Sequence, residues 1–218
     1  QSKLVKKNLN SILSEKSEVL GSLSKSYRNS YKNKKLNFFR KKLDYRIIGM
    51  GGSILGSQAI YGFLKKKIKK NFYFLDNIEI KKINNLRKKL NLKKTVFIIV
   101  SKSGNTTETL SNALFLNILK KNNKNIIIIS EKNDNFLFNL SKKLNLFFIE
   151  HKKKIGGRYS VLSEVGMVPA YLMDLNINKL RKNIQKNLDL KRKFFLKESS
   201  CKLANLIFQK KFNNLIFL

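Results

Sequence analysis

The stretch SKSGNTTET, residues 101–109, gathers hydroxyl side chains at one point of the chain. It carries Ser101, Ser103, Thr106 and two further threonines, with Gly104 among them. An apolar run precedes it and a segment of helical period follows, so it predicts a corner between a strand and a helix. Hydroxyls donate hydrogen bonds to an oxyanion, and the first N–H groups of a helix point toward the same place. The corner therefore predicts a site that holds a phosphate without a metal.

The same residues could instead cap the helix. A threonine followed by a polar residue in the first turn resembles a capping box, which would pair Thr106 with Thr109 or Glu108. Capping uses one or two hydroxyls, whereas this corner holds five. A Walker loop is excluded, because the chain contains no G-x-x-x-x-G-K-[ST] pattern.

An earlier corner, GMGGSILGS at residues 49–57, is rich in glycine. Glycine lets a chain turn tightly and lets backbone N–H groups approach an anion closely. The dinucleotide-binding pattern G-x-G-x-x-G fits at Gly49 and Gly51 but fails at its third glycine, where isoleucine stands. Asp76, after the next apolar run, leaves a nucleotide interpretation open. Ser53 could equally serve as a plain helix N-cap.

A third stretch, KIGGRYSVLSEVG at residues 154–166, combines two glycines with an arginine. The glycines place Arg158 at a turn, from which its guanidinium could enter a cleft above a sheet and stabilise negative charge on oxygen. The alternative is a surface arginine in a tight turn, and the stretch by itself does not decide between the two.

Taken together, GMGGSILG, SKSGNTTET and IGGRYSVLSEVG resemble the phosphoglucose isomerase family, whose sheets are sugar-isomerase (SIS) domains. The hydroxyl-rich stretch alone is shared with other phosphosugar isomerases and with phosphosugar-sensing regulators. The Gly-Gly-Arg-Tyr-Ser stretch is more specific, because it is a signature of the glucose-6-phosphate isomerases. The resemblance covers residues 40–175 well and the flanking helices loosely.

The resemblance implies roles for the positions that match. Arg158 is expected beside the enediolate intermediate, as the catalytic residue of this chain. Contacts to the sugar and its phosphate are expected from Gly52, Ser53, Ser101, Lys102, Ser103 and Thr106. The implied reaction is the reversible aldose–ketose isomerisation of glucose 6-phosphate to fructose 6-phosphate in glycolysis and gluconeogenesis, with no cofactor and no metal. A non-catalytic module that binds a phosphosugar stays open as the alternative.

The chain departs from the family pattern in two positions and lacks part of its machinery. Glu164 stands where a small residue is usual, and Lys153 where an acidic or polar residue is common. The family's catalytic glutamate, histidine and lysine lie in or after a second SIS domain, so the resemblance implies a fragment without the base. We do not expect His151, Glu150 or Glu164 to replace them. The family is generally dimeric, which implies a homodimer for the full-length protein.

Five apolar runs predict the strands that would position these corners. They are rich in β-branched and aromatic residues, which is typical of strands covered on both faces of a parallel sheet. The runs cover 45–50, 71–75, 95–100, 125–130 and 146–150. Segments of helical period alternate with them at 53–67, 78–90, 108–121 and 134–144. The alternation predicts an α/β fold with a doubly wound, five-stranded parallel sheet that binds its ligand at the carboxyl ends of the strands.

The flanking segments predict helices on either side of the sheet. We expect an N-terminal helical segment over 1–42, a first SIS domain over 43–175 and connecting helices over 176–212. Residues 213–218, an apolar run, are expected to begin a truncated second SIS domain.

The charge of the chain is strongly positive, with 47 Lys+Arg against 13 Asp+Glu and a formal net charge of +34. Such a charge suggests a nucleic-acid partner. The lysines are spread evenly among asparagines and isoleucines, however, which favours compositional drift and makes a nucleic-acid partner unlikely. A single cysteine, Cys201, excludes an internal disulfide and suits a reducing compartment. Without a recognisable signal peptide or membrane span, the sequence predicts a cytoplasmic protein with no membrane partner. The family resemblance implies a small phosphosugar as its partner.

Overall fold

The computed structural model describes residues 18–24, 27–89, 91–182 and 193–209, with single positions at 4, 7, 8, 11 and 184. The predicted start of a second domain, residues 213–218, lies outside the described residues. The domain boundaries therefore stay predictions.

Five parallel strands form one sheet in the order β2-β1-β3-β4-β5. The strands are β1 (Asp44–Ile48), β2 (Asn71–Leu75), β3 (Thr95–Val100), β4 (Ile126–Ser130) and β5 (Phe147–Glu150). This arrangement confirms the predicted doubly wound, five-stranded parallel sheet. Two of the predicted strands, at 71–75 and 95–100, have the predicted bounds.

Helices connect and flank the strands. The described α-helices are α1 (Glu18–Ser22), α2 (Asn33–Arg40), α3 (Leu55–Leu64), α4 (Ile80–Lys89), α5 (Thr107–Phe115), α6 (Phe136–Lys143), α7 (Glu164–Leu172), α8 (Ile177–Arg181) and α9 (Lys193–Phe208). Short 3₁₀ turns cover Gly51–Ser53, Lys65–Lys67 and Gly157–Leu162. No helix in the described part of the chain is long and apolar enough to cross a membrane.

The sheet carries a separate apolar core on each face. Side chains alternate along a strand, so Ile47 packs into one core and Ile48 into the other. The first core also takes Leu36 of α2 and Val168 of α7, whereas the second takes Ala113 of α5. Both faces are covered by helices, which explains why the strands read as continuous apolar runs.

The order of the strands creates a crevice between β1 and β3. After β1, helix α3 packs through Ile60 into the first core, and after β3, helix α5 packs through Ala113 into the second core. Because the two connections leave neighbouring strands toward opposite faces, their loops separate at the carboxyl end of the sheet. This is the switch point at which doubly wound folds bind ligands.

One predicted helix is shorter than its apolar pattern. The segment 108–121 was expected to be helical throughout, but α5 ends at Phe115. Asn117 adopts a left-handed backbone conformation with φ of 52°, which a continuing helix does not allow. Ile118 nevertheless stays buried in the second core. The apolar pattern therefore continued beyond the helix because the loop also contributes to the core.

A polar network joins helices at the amino end of the sheet. Asp174, just after α7, lies 2.6 Å from Arg40 Nε and 2.8 Å from Lys70 Nζ. Lys70 is 7% exposed, and its ammonium also donates to the carbonyl oxygens of Arg40 and Leu172 at 2.6 and 2.9 Å. The network lies at the opposite end of the strands from the crevice. It therefore stabilises the fold and is not part of the candidate site.

Candidate functional site

The two glycine- and hydroxyl-rich corners meet at the switch point. Strands β1 and β3 are paired, with Ile48 opposite Ile99, so the loops that follow them begin side by side. A Cβ atom on Gly49 would lie only 2.9 Å from the carbonyl oxygen of Val100, which closes β3. Only glycine fits this approach, and the sequence prediction that both corners share one edge is confirmed.

The first corner turns before its helix begins. Gly51–Ser53 form a 3₁₀ turn, and Ile54, not Ser53, is the N-cap of α3. The alternative role of Ser53 as a plain helix cap is therefore not realised, because the turn places this residue ahead of the helix. Ser53 is partly buried, and its hydroxyl makes no hydrogen bond within the described residues. It is thus available to a ligand.

The arginine stretch packs directly against the first corner. A Cβ atom on Gly52 would lie 2.3 Å from the carbonyl carbon of Gly157 and 2.8 Å from the backbone nitrogen of Arg158. Ser160 donates from its hydroxyl to the carbonyl oxygens of Gly157 at 2.6 Å and Gly52 at 3.2 Å. Two segments that are far apart in sequence therefore share one backbone contact beside the crevice.

Arg158 is the exposed residue of this contact. It lies in the 3₁₀ turn Gly157–Leu162, in agreement with the predicted turn. Within the described residues its guanidinium makes no hydrogen bond or ion pair, whereas the neighbouring Ser160 is fully buried. The loop is therefore anchored while the charged end of Arg158 is left available.

The hydroxyl-rich corner closes on itself through hydrogen bonds between residues that are close in sequence. The hydroxyls of Ser101 and Thr106 are 2.8 Å apart, and those of Ser103 and Thr106 are 3.5 Å apart. The N–H group of Gly104 donates to Ser101 Oγ at 3.1 Å. Gly104 itself has a φ of 70°, a conformation that glycine adopts without strain. These contacts hold three of the predicted phosphate ligands in one arc.

The capping alternative for this corner is not realised. Helix α5 begins at Thr107 with Thr106 as its N-cap, close to the predicted start. Thr106 makes no side-chain cap hydrogen bond, since its hydroxyl faces Ser101 and Ser103 instead. The first N–H groups of the helix are therefore left for an anion.

Thr109 does not belong to the set of hydroxyl donors that the sequence suggested. It is fully buried, and its hydroxyl has no hydrogen-bond partner among the described residues. Three residues into the helix, its side chain turns inward, whereas Thr107 is exposed at the surface. Counting hydroxyls in the sequence overestimated the donors, because helix geometry turns one of them away.

Charged groups surround the neighbouring strand end. Lys102 Nζ lies 3.6 Å from Glu131 Oε1, and the backbone N–H of Glu131 donates to the Lys102 carbonyl at 3.1 Å. His151 is 2% exposed, and burial lowers the pKa of its imidazole although its ring contacts the Lys152 carbonyl at 3.0 Å. The His151 ring is therefore largely shielded from solvent and contacts a backbone carbonyl.

Two asparagines that support the hydroxyl-rich corner were missed in the sequence. Asn135 caps α6 by accepting from the Phe138 N–H at 2.9 Å, and a Cβ atom on Gly104 would collide with its Oδ1 at 1.8 Å. Asn105 accepts from the backbone N–H of Phe136 at 2.9 Å. An asparagine directly before an apolar helical run is a recognisable N-cap, so Asn135 could have been found.

The fold and the site together define a class of protein. The chain is a doubly wound α/β protein with a hydroxyl-rich arc and an arginine turn at its switch point. A sequence profile described as phosphoglucose isomerase matches residues 29–198. The chain therefore belongs to the phosphoglucose isomerase family.

Relatives of known name share between a third and two fifths of their aligned residues with this chain. A probable glucose-6-phosphate isomerase from Methanococcus maripaludis is 34% identical over 166 residues, 70% of this chain and 37% of the relative. A glucose-6-phosphate isomerase from Methanocaldococcus jannaschii is 36% identical over 62% of this chain and 34% of its own length. One from Borreliella afzelii is 40% identical over 56% of this chain and 25% of its own length. The aligned part of the chain thus spans between 25% and 37% of the length of these three relatives.

Solved structures confirm the fold. A hypothetical protein from Thermus thermophilus superimposes with a TM-score of 0.75 and 24% identity, covering 92% of this chain and 51% of that one. A glucose-6-phosphate isomerase from Chlamydia trachomatis gives a TM-score of 0.56 and 23% identity over 70% of this chain and 30% of its own.

Proposed function

We propose that this chain is part of a glucose-6-phosphate isomerase and supplies its phosphate subsite and its arginine. The observation that supports this most directly is the contact of Gly52 with Gly157 and Arg158. It brings the arginine turn to the crevice in which the hydroxyl-rich arc already lies. The substrate would be glucose 6-phosphate, with fructose 6-phosphate as the product of the reversible reaction.

The phosphate group would sit in the arc after β3. Ser101, Ser103 and Thr106 would donate hydroxyl hydrogen bonds, and the free N–H groups at the start of α5 would add donors and a favourable dipole. Lys102 would contribute positive charge from the same loop, since its ammonium is only partly exposed and lies near the strand ends. These donors suit a dianion and need no metal.

The sugar would extend from the phosphate toward the first corner. Gly52 and Ser53 would contact its hydroxyls, and Arg158 would lie beside the reacting carbons. When the ring-opened substrate transfers a proton between C2 and C1 through a cis-enediol, negative charge develops on the neighbouring oxygens. An arginine placed there lowers the energy of that state by electrostatic attraction.

The general base would come from outside the described residues. A base must lie within hydrogen-bond reach of the proton that it moves. Glu164 is fully buried and engaged with backbone and tyrosine donors, and His151 is buried as well. We therefore expect these 218 residues to bind the sugar phosphate weakly or not at all when expressed alone, and not to turn it over.

The experiment is to replace Arg158 in the protein encoded by the complete gene. We expect Arg158→Ala to reduce kcat for glucose 6-phosphate by about 10²- to 10³-fold, the loss typical of one donor to a developing oxyanion, with a smaller change in KM. Arg87→Ala is the matched control, because Arg87 is an exposed arginine on α4, outside the three loops of the site. It should leave both constants unchanged.

Two results would contradict the proposal. If Arg158→Ala leaves phosphosugar binding and all activity unchanged, the non-catalytic phosphosugar-binding module becomes the better assignment. If the isolated 218 residues isomerise glucose 6-phosphate efficiently, the base lies within them. A polyanion binder would instead show binding to DNA of any sequence, with an affinity that falls steeply with salt.

We further propose a homodimer in the cytoplasm for the full-length protein, following its family and its single cysteine.

A further inference from the structure

A fully buried carboxylate lies at the end of the arginine turn. Glu164 is 0% exposed and is the first residue of α7. Its oxygens accept from the Tyr27 hydroxyl at 3.0 and 3.2 Å and from the backbone N–H of Ser30 at 2.7 Å. Tyr27 and Ser30 lie 137 and 134 positions before Glu164, so these bonds join segments that are distant in the chain.

The donors to Glu164 belong to a segment that also contacts the other end of the arginine turn. We call residues 27–31 the strap. Lys152 donates to the carbonyl of Arg28 at 2.8 Å, and its ammonium lies 4.1 Å from the centre of the Tyr27 ring. The hydroxyl of Ser30 donates to the carbonyl of Glu150 at 2.6 Å. The strap therefore bridges residues 150–152 and Glu164, the two flanks of the turn.

A second cation fixes the chain just before the strap. Arg181 donates from its guanidinium to the carbonyl oxygens of Ser22, Ser24 and Leu162, and the guanidinium lies 5.0 Å from the Tyr27 ring. Leu162 is the last residue of the 3₁₀ turn that contains Arg158. The same guanidinium thus holds the N-terminal segment and the turn together.

The turn transmits this anchoring to Arg158 through short contacts. Ser163, next to Glu164, donates from its hydroxyl to the Ser160 carbonyl at 2.7 Å. Ser160 in turn donates to the carbonyls of Gly157 and Gly52. Arg158 lies inside this chain of contacts, between the first corner and the strap.

Burying a carboxylate costs free energy unless donors replace its hydration. Glu164 recovers that cost only while Tyr27 and Ser30 stay in place, so the strap and the end of the turn stabilise each other. We propose that Glu164 is a positioning residue: it fastens the strap across the flanks of the arginine turn and so fixes the backbone that carries Arg158. The effect on catalysis rests on the function proposed for Arg158, whereas the strap itself does not.

Hydrogen exchange of the chain without any sugar tests the strap. Tyr27→Phe removes the hydroxyl bonded to Glu164 and keeps the ring. We expect amide exchange to rise on the order of tenfold both in 27–31 and in 152–164, the factor that corresponds to one hydrogen bond to a charged group. Residues 101–106 of the hydroxyl-rich arc should exchange as in the unchanged protein.

Tyr31→Phe is the matched control within the strap. The Tyr31 hydroxyl is also buried but has no hydrogen-bond partner among the described residues, so its removal should leave exchange in 152–164 unchanged. The proposal is overturned if the two variants exchange alike, or if Tyr27→Phe affects residues 27–31 alone. Neither result depends on whether the protein is an isomerase.

A double-mutant cycle tests the positioning role in the protein from the complete gene. Tyr27→Phe should lower kcat for glucose 6-phosphate severalfold with little change in KM, and should lower it no further when Arg158 is already alanine. Equal factors in both backgrounds would show that Tyr27 acts on stability alone and would overturn the positioning role. Glu164→Gln keeps one acceptor oxygen, so its kcat for glucose 6-phosphate should lie between that of the unchanged protein and that of Glu164→Ala.

Discussion

The close contacts at the candidate site depend on glycines, which have no side chain, as much as on residues with polar side chains. Gly52 contributes no side chain, yet the absence of a Cβ lets its backbone touch Gly157 and Arg158. Gly49 and Gly104 make similar close approaches to Val100 and Asn135. These glycines set how closely neighbouring loops at this edge of the sheet approach one another.

Gly52→Ala should separate the first corner from the arginine turn. The new methyl group would meet backbone atoms at 2.3–2.8 Å, and backbone yields less readily than a side chain. We expect a loss of roughly 1–3 kcal/mol in the free energy of unfolding, as for overpacked sites, together with weaker phosphosugar binding. Urea unfolding monitored by circular dichroism measures the first effect.

Gly62→Ala is the control for this prediction. Gly62 lies in α3, and a Cβ there would have nothing within 4 Å. Alanine should raise stability by about 0.5–1 kcal/mol, because it favours the helix. Equal effects of the two substitutions would show that the close contact at Gly52 is not what the glycine serves.

At the scale of elements, the loops after neighbouring strands support one another. Asn105, in the loop after β3, accepts a hydrogen bond from the first residue of α6, and Asn135, after β4, packs under Gly104. The start of α6 therefore packs against the hydroxyl-rich arc and stabilises it. A change in this helix should therefore disturb the arc, the proposed phosphate subsite, without altering Ser101, Ser103 or Thr106 themselves.

Asn135→Ala should lower the free energy of unfolding by about 1 kcal/mol, because it removes the N-cap of α6. Asn135 accepts from Phe138 N–H and donates to the carbonyl of Glu131 at 2.8 Å, and both bonds are lost in the variant. Asn139→Ala is the matched control, since the Asn139 amide is exposed and donates to Asp134 at 2.7 Å. A loss of stability as large in the control would contradict the capping role.

The sequence allowed the elements and the positions of the loop corners to be predicted, because both are local patterns. Strand β3 was found from its apolar run, and Ser101 and Thr106 from their position after it. The sequence did not reveal the end of α5. Ile118 is buried and keeps the apolar period of the helix going, and nothing in the sequence shows that Asn117 adopts a left-handed conformation. The strap was also missed, because its bonds to Glu164 join residues more than a hundred positions apart.

At the scale of the whole molecule, electrostatics acts through a few paired groups in a strongly basic chain. Burial alone would raise the pKa of Asp174, but hydrogen bonds from Lys70 and Arg40 outweigh it and lower the pKa. The pKa in the folded state is then below the unfolded value of about 3.9. The ionised carboxylate therefore stabilises the fold above about pH 4, and this contribution disappears as the pH falls through the folded pKa.

Asp174→Asn should lower the free energy of unfolding by about 1 kcal/mol at pH 7, a modest effect because water screens the half-exposed carboxylate. Asparagine tolerates the left-handed backbone of this position, where φ is 61°, so strain does not obscure the result. Urea unfolding from pH 7 down to pH 2 should show the difference from the unchanged protein closing below about pH 4.

Asp76→Asn provides the comparison for this titration. Asp76 accepts a hydrogen bond from the neutral Gln58 side chain at 2.8 Å and makes no ion pair within the described residues. Its substitution should cost less at pH 7. If the difference in unfolding free energy between Asp174→Asn and the unchanged protein stays constant from pH 7 to pH 2, the stabilising role of the ionised Asp174 carboxylate is refuted.

The contact between the first corner and the arginine turn also fixes when the site can form during folding. Ser160 and Gly52 are 108 positions apart, and all of β2, β3, β4 and β5 lie between them in the chain. Closing so long a loop costs entropy that only a largely assembled sheet can offset. A nascent chain leaving the ribosome would complete its hydroxyl-rich arc first and bring Arg158 to the first corner last, so the proposed phosphate subsite would form before the arginine joins it.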